Sequence, residues 1–218
     1  MSARSILVAV AAAMPAGRVK NGVLRRLGWF IGRGVRLGPC LVLSVDEVRL
    51  GDGAFVGPFN VMRELASLTL DEHARIGQWN WITASRPMRE AGGAGRLHLG
   101  AHSSITARHY VDCTGGIRIG THTTVAGIRS TLFTHGISWK SSTQTSNAID
   151  VGSYCLISSN VTVAPGSVIG DRIVVGMGAT VAGQLSEPGL YMQPRATLVK
   201  TDLAGSYFDR ERGFVEAD

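Results

Sequence analysis

The stretch Asn147 to Val181, NAIDVGSYCLISSNVTVAPGSVIGDRIVVGMGATV, decides the fold. Its aliphatic residues Val151, Ile157, Val163, Ile169, Val175 and Val181 recur every six positions, and Gly follows three of them. A helix places apolar residues every three or four positions and a half-buried strand every second one. A sustained six therefore points to a solenoid in which each turn repeats one short unit. In such a unit an aliphatic residue faces the coil axis, and a Gly or small polar residue turns the corner. Three units close a triangular coil, and stacked coils line up their residues in columns about 4.8 Å apart.

Working outward from the block, one phrase keeps returning: apolar, any residue, apolar, then Gly or Asp. It occurs as Val35-Arg-Leu37-Gly38, Val48-Arg-Leu50-Gly51, Leu68-Thr-Leu70-Asp71, Leu97-His-Leu99-Gly100, Ile117-Arg-Ile119-Gly120 and Ile149-Asp-Val151-Gly152, and each is expected to open a coil. The intervals are 13, 20, 29, 20 and 32, and Val151 to Ile169 is 18. The two long intervals hold polar insertions, at 85–95 (SRPMREAGGAG) and about 133–147 (FTHGISWKSSTQTSN). Loops leaving a regular solenoid are where function concentrates.

The chain has 218 residues, enough for one core with appendages. A helical, basic arm is expected over 1–34, a β-solenoid domain over 35–200, and a short helix or loose tail over 201–218. The repeat is expected to end after Val181. Arg4, Arg18, Lys20, Arg25, Arg26, Arg33 and Arg36 precede the first acid, Asp46, so against a formal charge of +6 the remainder of the chain nets −1. A nucleic-acid groove spreads its basic residues along the working face, and this near-neutral repeat region speaks against nucleic acid. The arm is expected to cap the first coil, with peripheral contact to an anionic membrane surface as the alternative. The apolar run Ile6 to Met14 is too short to span a bilayer and only faintly resembles a signal peptide. Cys40, Cys113 and Cys155 are odd in number and lack metal-type spacing, which fits a reducing, cytoplasmic compartment.

Over residues 35 to 200 the pattern resembles the hexapeptide-repeat acyltransferases, a superfamily that includes the galactoside, maltose, serine, xenobiotic and sugar O-acetyltransferases. The resemblance implies a left-handed parallel β-helix, acetyl-CoA or another acyl-CoA as co-substrate, a hydroxyl or amine acceptor on a sugar or related molecule, and a homotrimer with the site between subunits. No metal is expected. Where the family carries a Gly-Asn-Pro-Ala-Lys-type motif, this chain reads Gln193-Pro194-Arg195-Ala196 with Lys200 beyond, so the glycine is not kept.

On that resemblance His135, at the start of the second insertion, stands where galactoside- and maltose-type acetyltransferases place their catalytic histidine. A neutral imidazole can take the proton that an acceptor loses as it attacks a thioester. Such a base needs orienting. Column counting at a 20-residue register sets His135 over Gly115, with Asp112 the nearest carboxylate and a backbone carbonyl the competing partner. Ser159 matches the family's thioester-facing serine, a possible oxyanion donor. Gly176, Gly178 and Ala179 match the glycine-rich turn against the pantetheine arm, with Met177 where a small residue is usual. Arg195 and Lys200 are candidates for the coenzyme A phosphates.

Trp139 in the His135 insertion, Trp81 and its neighbour Asn80 are candidate acceptor contacts; Trp79 and Trp81 also suit a subunit interface. His73, His102 and His122 fall three residues after coil-opening apolar residues and should form an exposed ladder. His109 is expected in a turn column with Asn60, Asn80 and Arg129. Two rivals remain: a zinc hydrase of the carbonic anhydrase branch, whose His-x4-His spacing is missing because His98 and His102 lie one residue too close, and a non-catalytic scaffold.

Overall fold

In a computed structural model, which describes residues 3–205, 207–209, 211 and 213, the chain forms an all-β parallel solenoid of triangular cross-section. Among the described residues the first and second faces are eight-stranded and the third seven-stranded. Strands of the first face run from Phe30–Ile31 to Gln184–Leu185, those of the second from Arg36–Leu37 to Gly189–Tyr191, and those of the third from Leu41–Leu43 to Thr180–Val181. Every pairing within these faces is parallel. The hexapeptide columns behave as their spacing demands. Val151 and Ile169 face inward from the first face, Ile157 and Val175 from the second, and Val163 and Val181 from the third, each at most 3% exposed. Burying such a side chain stabilises the fold by about 1.5–3 kcal/mol.

Two features of the coil count differ from expectation. The first coil opens at Phe30–Ile31, and Val35–Gly38 belongs to its second face, because the phrase apolar-x-apolar-Gly marks the end of a strand on any face. The interval of 13 is therefore a change of face. The solenoid also continues past Val181, through Gln184–Leu185 and Gly189–Tyr191, although the six-residue period has lapsed. Main-chain hydrogen bonds such as Gly176 N to Tyr191 O, 2.8 Å, hold that last partial coil.

Two helices, α1 (Ala3–Ala13) and α2 (Arg18–Arg26), pack on the first coil. They bury Val8, Ala11, Ala12 and Leu24, and Lys20 is buried with them. The Lys20 ammonium donates to Ala12 O (2.6 Å) and Met14 O (3.0 Å) at the end of α1 and to Gly38 O (2.7 Å) on the first coil, which ties the helix end to the solenoid. Burial pulls its pKa down to about 8, against an opposing contribution from Cys40. Both long intervals are single coils carrying an insertion at the corner between the third and first faces. The first holds a short helix, α3 (Arg86–Glu90), started by a proline in its first turn. The second is a hairpin, not a loop: His135–Ser138 pairs antiparallel with Thr143–Ser146. The 201–218 tail has no helix in its described part; residues 206, 210, 212 and 214–218 lie outside the described residues.

Candidate active site

A dense polar cluster forms where the second insertion leaves the solenoid. The strand Tyr110–Asp112 pairs with Thr131–Leu132 at a 21-residue register, one longer than the register assumed from sequence. Thr134 and His135 consequently arrive beside Asp112. The Asp112 carboxylate is 1% exposed and wrapped by donors. Oδ1 accepts from the Thr114 hydroxyl (2.6 Å) and Thr114 N (3.2 Å). Oδ2 accepts from Thr134 N (2.8 Å) and His135 N (3.0 Å), and it lies 2.7 Å from His135 Nδ1. The Thr134 hydroxyl accepts from Gly115 N (2.8 Å) and reaches both the main-chain oxygen (2.7 Å) and Oδ2 (3.0 Å) of Asp112.

These bonds fix the protonation pattern. Burial pushes the Asp112 carboxyl upward, but the hydrogen bonds from the Thr114 hydroxyl, His135 and the main-chain amides outweigh it and hold the group below the ordinary carboxylate range. An ionised carboxylate can only accept, so Nδ1 of His135 donates to it, and in the neutral imidazole this tautomer leaves the lone pair on Nε2. The His135 side chain is 33% exposed. The cluster thus presents a half-exposed imidazole, locked by a buried carboxylate, with a basic nitrogen free. Sequence reasoning missed Thr114 and Thr134. The Asp112-Cys113-Thr114 spacing, in which a carboxylate caps the backbone two residues on, could have revealed the first.

Ser159 sits on a different edge. It lies at the corner between the second and third faces, where its hydroxyl accepts from Ile128 N at 3.2 Å and its carbonyl from Gly178 N at 3.1 Å. Gly127 (φ 69°) makes room for it, since a Cβ there would collide with Ser159 Oγ. With one lone pair engaged by Ile128 N, the Ser159 hydroxyl has no acceptor for its own proton among the described residues. Gly176, Met177, Gly178 and Ala179 share this edge. Met177 is 68% exposed and Gly178 has φ 75°. The third face therefore separates the two groups, and one chain alone does not bring Ser159 to His135. Arg195 and Lys200 follow the last strand in exposed, irregular chain and have no polar partner among the described residues.

The candidate acceptor contacts also divide. Trp139 is at the hairpin tip and 85% exposed, with Lys140 Nζ 5.5 Å from its ring. Trp81 points outward from the third face, in register with Val61 and Tyr110, while Trp79 stacks on Phe59 at 4.6 Å. Asn80 is not available to a ligand. It is 1% exposed and belongs to an internal ladder: Asn60 Oδ1 accepts from Asn80 N (2.8 Å), Asn80 Oδ1 from His109 N (2.9 Å), and His109 Nδ1 from Ser130 N (3.1 Å). The residue next in that column is Ser130, not Arg129. Burial lowers the His109 pKa to about 4, so it is a neutral structural imidazole.

At the corner between the first and second faces His73, His102, His122 and Tyr154 stack at centroid spacings of 5.2, 4.9 and 4.9 Å. The 85–95 insertion does not separate the His73 and His102 coils, because it loops out at another corner. Stacked imidazoles direct their lone pairs side by side, whereas zinc needs them to converge at about 2.0–2.1 Å. Among the described residues no group of three or more His, Cys, Asp or Glu is placed to hold a metal, and no helix is long and apolar enough to cross a membrane.

No family profile matches the chain, and no curated protein matches it. Among solved structures it is similar to a mutant of AntD, an N-acyltransferase from Bacillus cereus, in complex with dTDP-4-amino-4,6-dideoxyglucose and coenzyme A. That match has 11% identity over 89% of this chain and 94% of the other, with a TM-score of 0.46. It is also similar to the polySia specific acetyltransferase NeuO, with 16% identity over 84% of this chain and 89% of the other and a TM-score of 0.43.

Proposed function

We propose that the chain is an acyl-CoA-dependent acyltransferase, most simply an acetyltransferase, acting on a hydroxyl or amine of a sugar or related small molecule. The observation that carries the reading is the His135–Asp112 pair, in which a buried carboxylate orients a part-exposed imidazole and leaves its Nε2 unpartnered among the described residues. On this reading Nε2 removes the acceptor's proton as its oxygen or nitrogen attacks the thioester carbonyl. Asp112 stabilises the imidazolium that results. The tetrahedral intermediate collapses with loss of the coenzyme A thiolate, which recovers the proton from Nε2. Ser159 would donate to the carbonyl oxygen as its charge develops, with the Gly176–Ala179 turn along the pantetheine arm and Arg195 and Lys200 toward the phosphates. Trp139, and Trp81 on the third face, would contact the acceptor.

Because His135 and Ser159 occupy separate edges, the reading requires a second copy of the chain. Exposed Leu41, Trp81, Tyr110 and Phe133 on the intervening face support such an interface, and a homotrimer closes it symmetrically. On this reading the enzyme works in the cytoplasm, and exposed Ile6, Leu7 and Val10 of α1 support peripheral contact with the inner membrane face. A structure with acetyl-CoA tests this account. The thioester is expected between His135 of one copy and Ser159 of another. Acetyl-CoA bound remote from His135, or not bound saturably at all, would overturn it.

A further inference from the structure

We infer that Thr114 is a positioning residue for His135 and the joint through which the 85–95 insertion acts on it; this rests on the proposed acyltransferase reading. Thr114 is fully buried. Its hydroxyl accepts from Ser85 N at 2.9 Å and donates to Asp112 Oδ1 at 2.6 Å. Its main-chain oxygen accepts from Gly95 N at 3.1 Å. Both ends of the insertion therefore fasten on one residue, and that residue holds the carboxylate that holds the base.

The single hydroxyl proton gives this contact its direction. Since Ser85 N–H occupies one lone pair of Oγ1, the proton is turned toward Asp112. Thr114 then fixes one carboxylate oxygen while Thr134 N and His135 N fix the other, which sets the carboxylate plane and, through Oδ2, the imidazole. Without the hydroxyl, Oδ1 retains only Thr114 N at 3.2 Å. The far side of the insertion is anchored to neighbouring coils. Arg86 pairs with Glu64 at 2.9 Å, and Arg89 pairs with Asp46 and, at 4.0 Å, with Glu64. The insertion is thus held between these anchors and Thr114, so a shift of the insertion would reach the base through Thr114.

The test compares Thr114→Val and Thr114→Ala, which lose the hydroxyl, with Thr114→Ser, which keeps it, using acetyl-CoA and the best acceptor of a sugar panel. The hydroxyl-free variants are expected to lower kcat about 10-fold, one hydrogen bond's worth, with KM for acetyl-CoA unchanged, and Thr114→Ser is expected to restore the rate. Arg89→Met, which frees the outer anchor, is expected to lower kcat in the wild-type background and to add nothing in the Thr114→Ala background. Wild-type kcat in a folded hydroxyl-free variant, failure of Thr114→Ser to restore the rate, or additive effects of Arg89→Met would overturn the inference. If Thr114→Val does not fold, Thr114→Ala decides alone. His135→Ala serves as the control: an inactive His135→Ala beside a fully active Thr114→Ala sinks only this inference, whereas an active His135→Ala sinks the acyltransferase reading.

Discussion

Replacing Asp112 by Asn separates the charge of the carboxylate from its shape. Six donor groups reach the carboxylate: Thr114 Oγ1 and N, Thr134 N and Oγ1, His135 N and His135 Nδ1. Asp112→Ala would leave most of them buried and unpaired at about 1–3 kcal/mol each, more than a domain of this size withstands. Asn can keep its oxygen at the Oδ2 position, which preserves the contacts to Thr134 N, His135 N and His135 Nδ1. Its amide then faces Thr114, whose hydroxyl can rotate to accept, so the losses there are the contact to Thr114 N and the acceptor for the Thr114 hydroxyl proton. A charge-assisted hydrogen bond is worth about 1.5–3 kcal/mol and a neutral one about 0.5–1.5 kcal/mol. Losing the charge opposite a forming imidazolium should therefore cost about 1–2 kcal/mol, or roughly 5- to 30-fold in kcat. The variant should be assayed by thiol release from acetyl-CoA with a fixed acceptor, alongside urea melts. A folded Asp112→Asn with unaltered kcat would refute the role given to the carboxylate. Because the Asp112 pKa is held down in the folded state, its stabilising contribution is present above the ordinary carboxylate range and disappears as pH falls through the lowered value; Asp112→Asn should lack that acid-dependent component.

Other expectations follow from the same contacts. His109, with a folded pKa of about 4 against about 6.5 unfolded, should cost the protein about 3 kcal/mol of stability as pH falls from 6.5 to 4, since the unfolded chain takes up the proton first. His109→Asn, which continues the Asn60–Asn80 ladder, should abolish that component in denaturant melts. Lys20, lowered to about 8 from its ordinary 10.5, should make the wild type gain about 3 kcal/mol relative to Lys20→Met as pH rises from 8 to 10.5, because there the unfolded chain holds the extra proton. Equal pH slopes in the two proteins would contradict this. Trp139→Ala should raise KM for the acceptor about three- to ten-fold without changing KM for acetyl-CoA; an unchanged acceptor KM would remove Trp139 from the site.

The solenoid was legible because its inward columns obey a spacing that no other secondary structure shares. The same reading misplaced Val35–Gly38, since the turn phrase carries no label for which face it ends. Asn80 was mistaken for a ligand contact because a corner residue can point either way. Its recurrence with Asn60 twenty positions earlier was the available signal that it ladders inward. The His135 insertion was visible as a gap in the period. Its hairpin was not, because Thr143–Ser146 is polar on both sides and packs on no core. Asp112 was found by counting columns one residue out of register, an error the side chain tolerates because its two oxygens span neighbouring donors. That His135 and Ser159 lie on separate edges has no local sequence signature, since the edge depends on how many residues each corner consumes.

The central claim is that His135 serves as the general base of acyl transfer from coenzyme A. Turnover by purified His135→Ala, measured as free thiol released from acetyl-CoA with an acceptor that the wild type uses, tests it most directly. The account predicts a loss of roughly 10²- to 10⁴-fold in kcat with acetyl-CoA still bound. A folded variant turning over at the wild-type rate would contradict it.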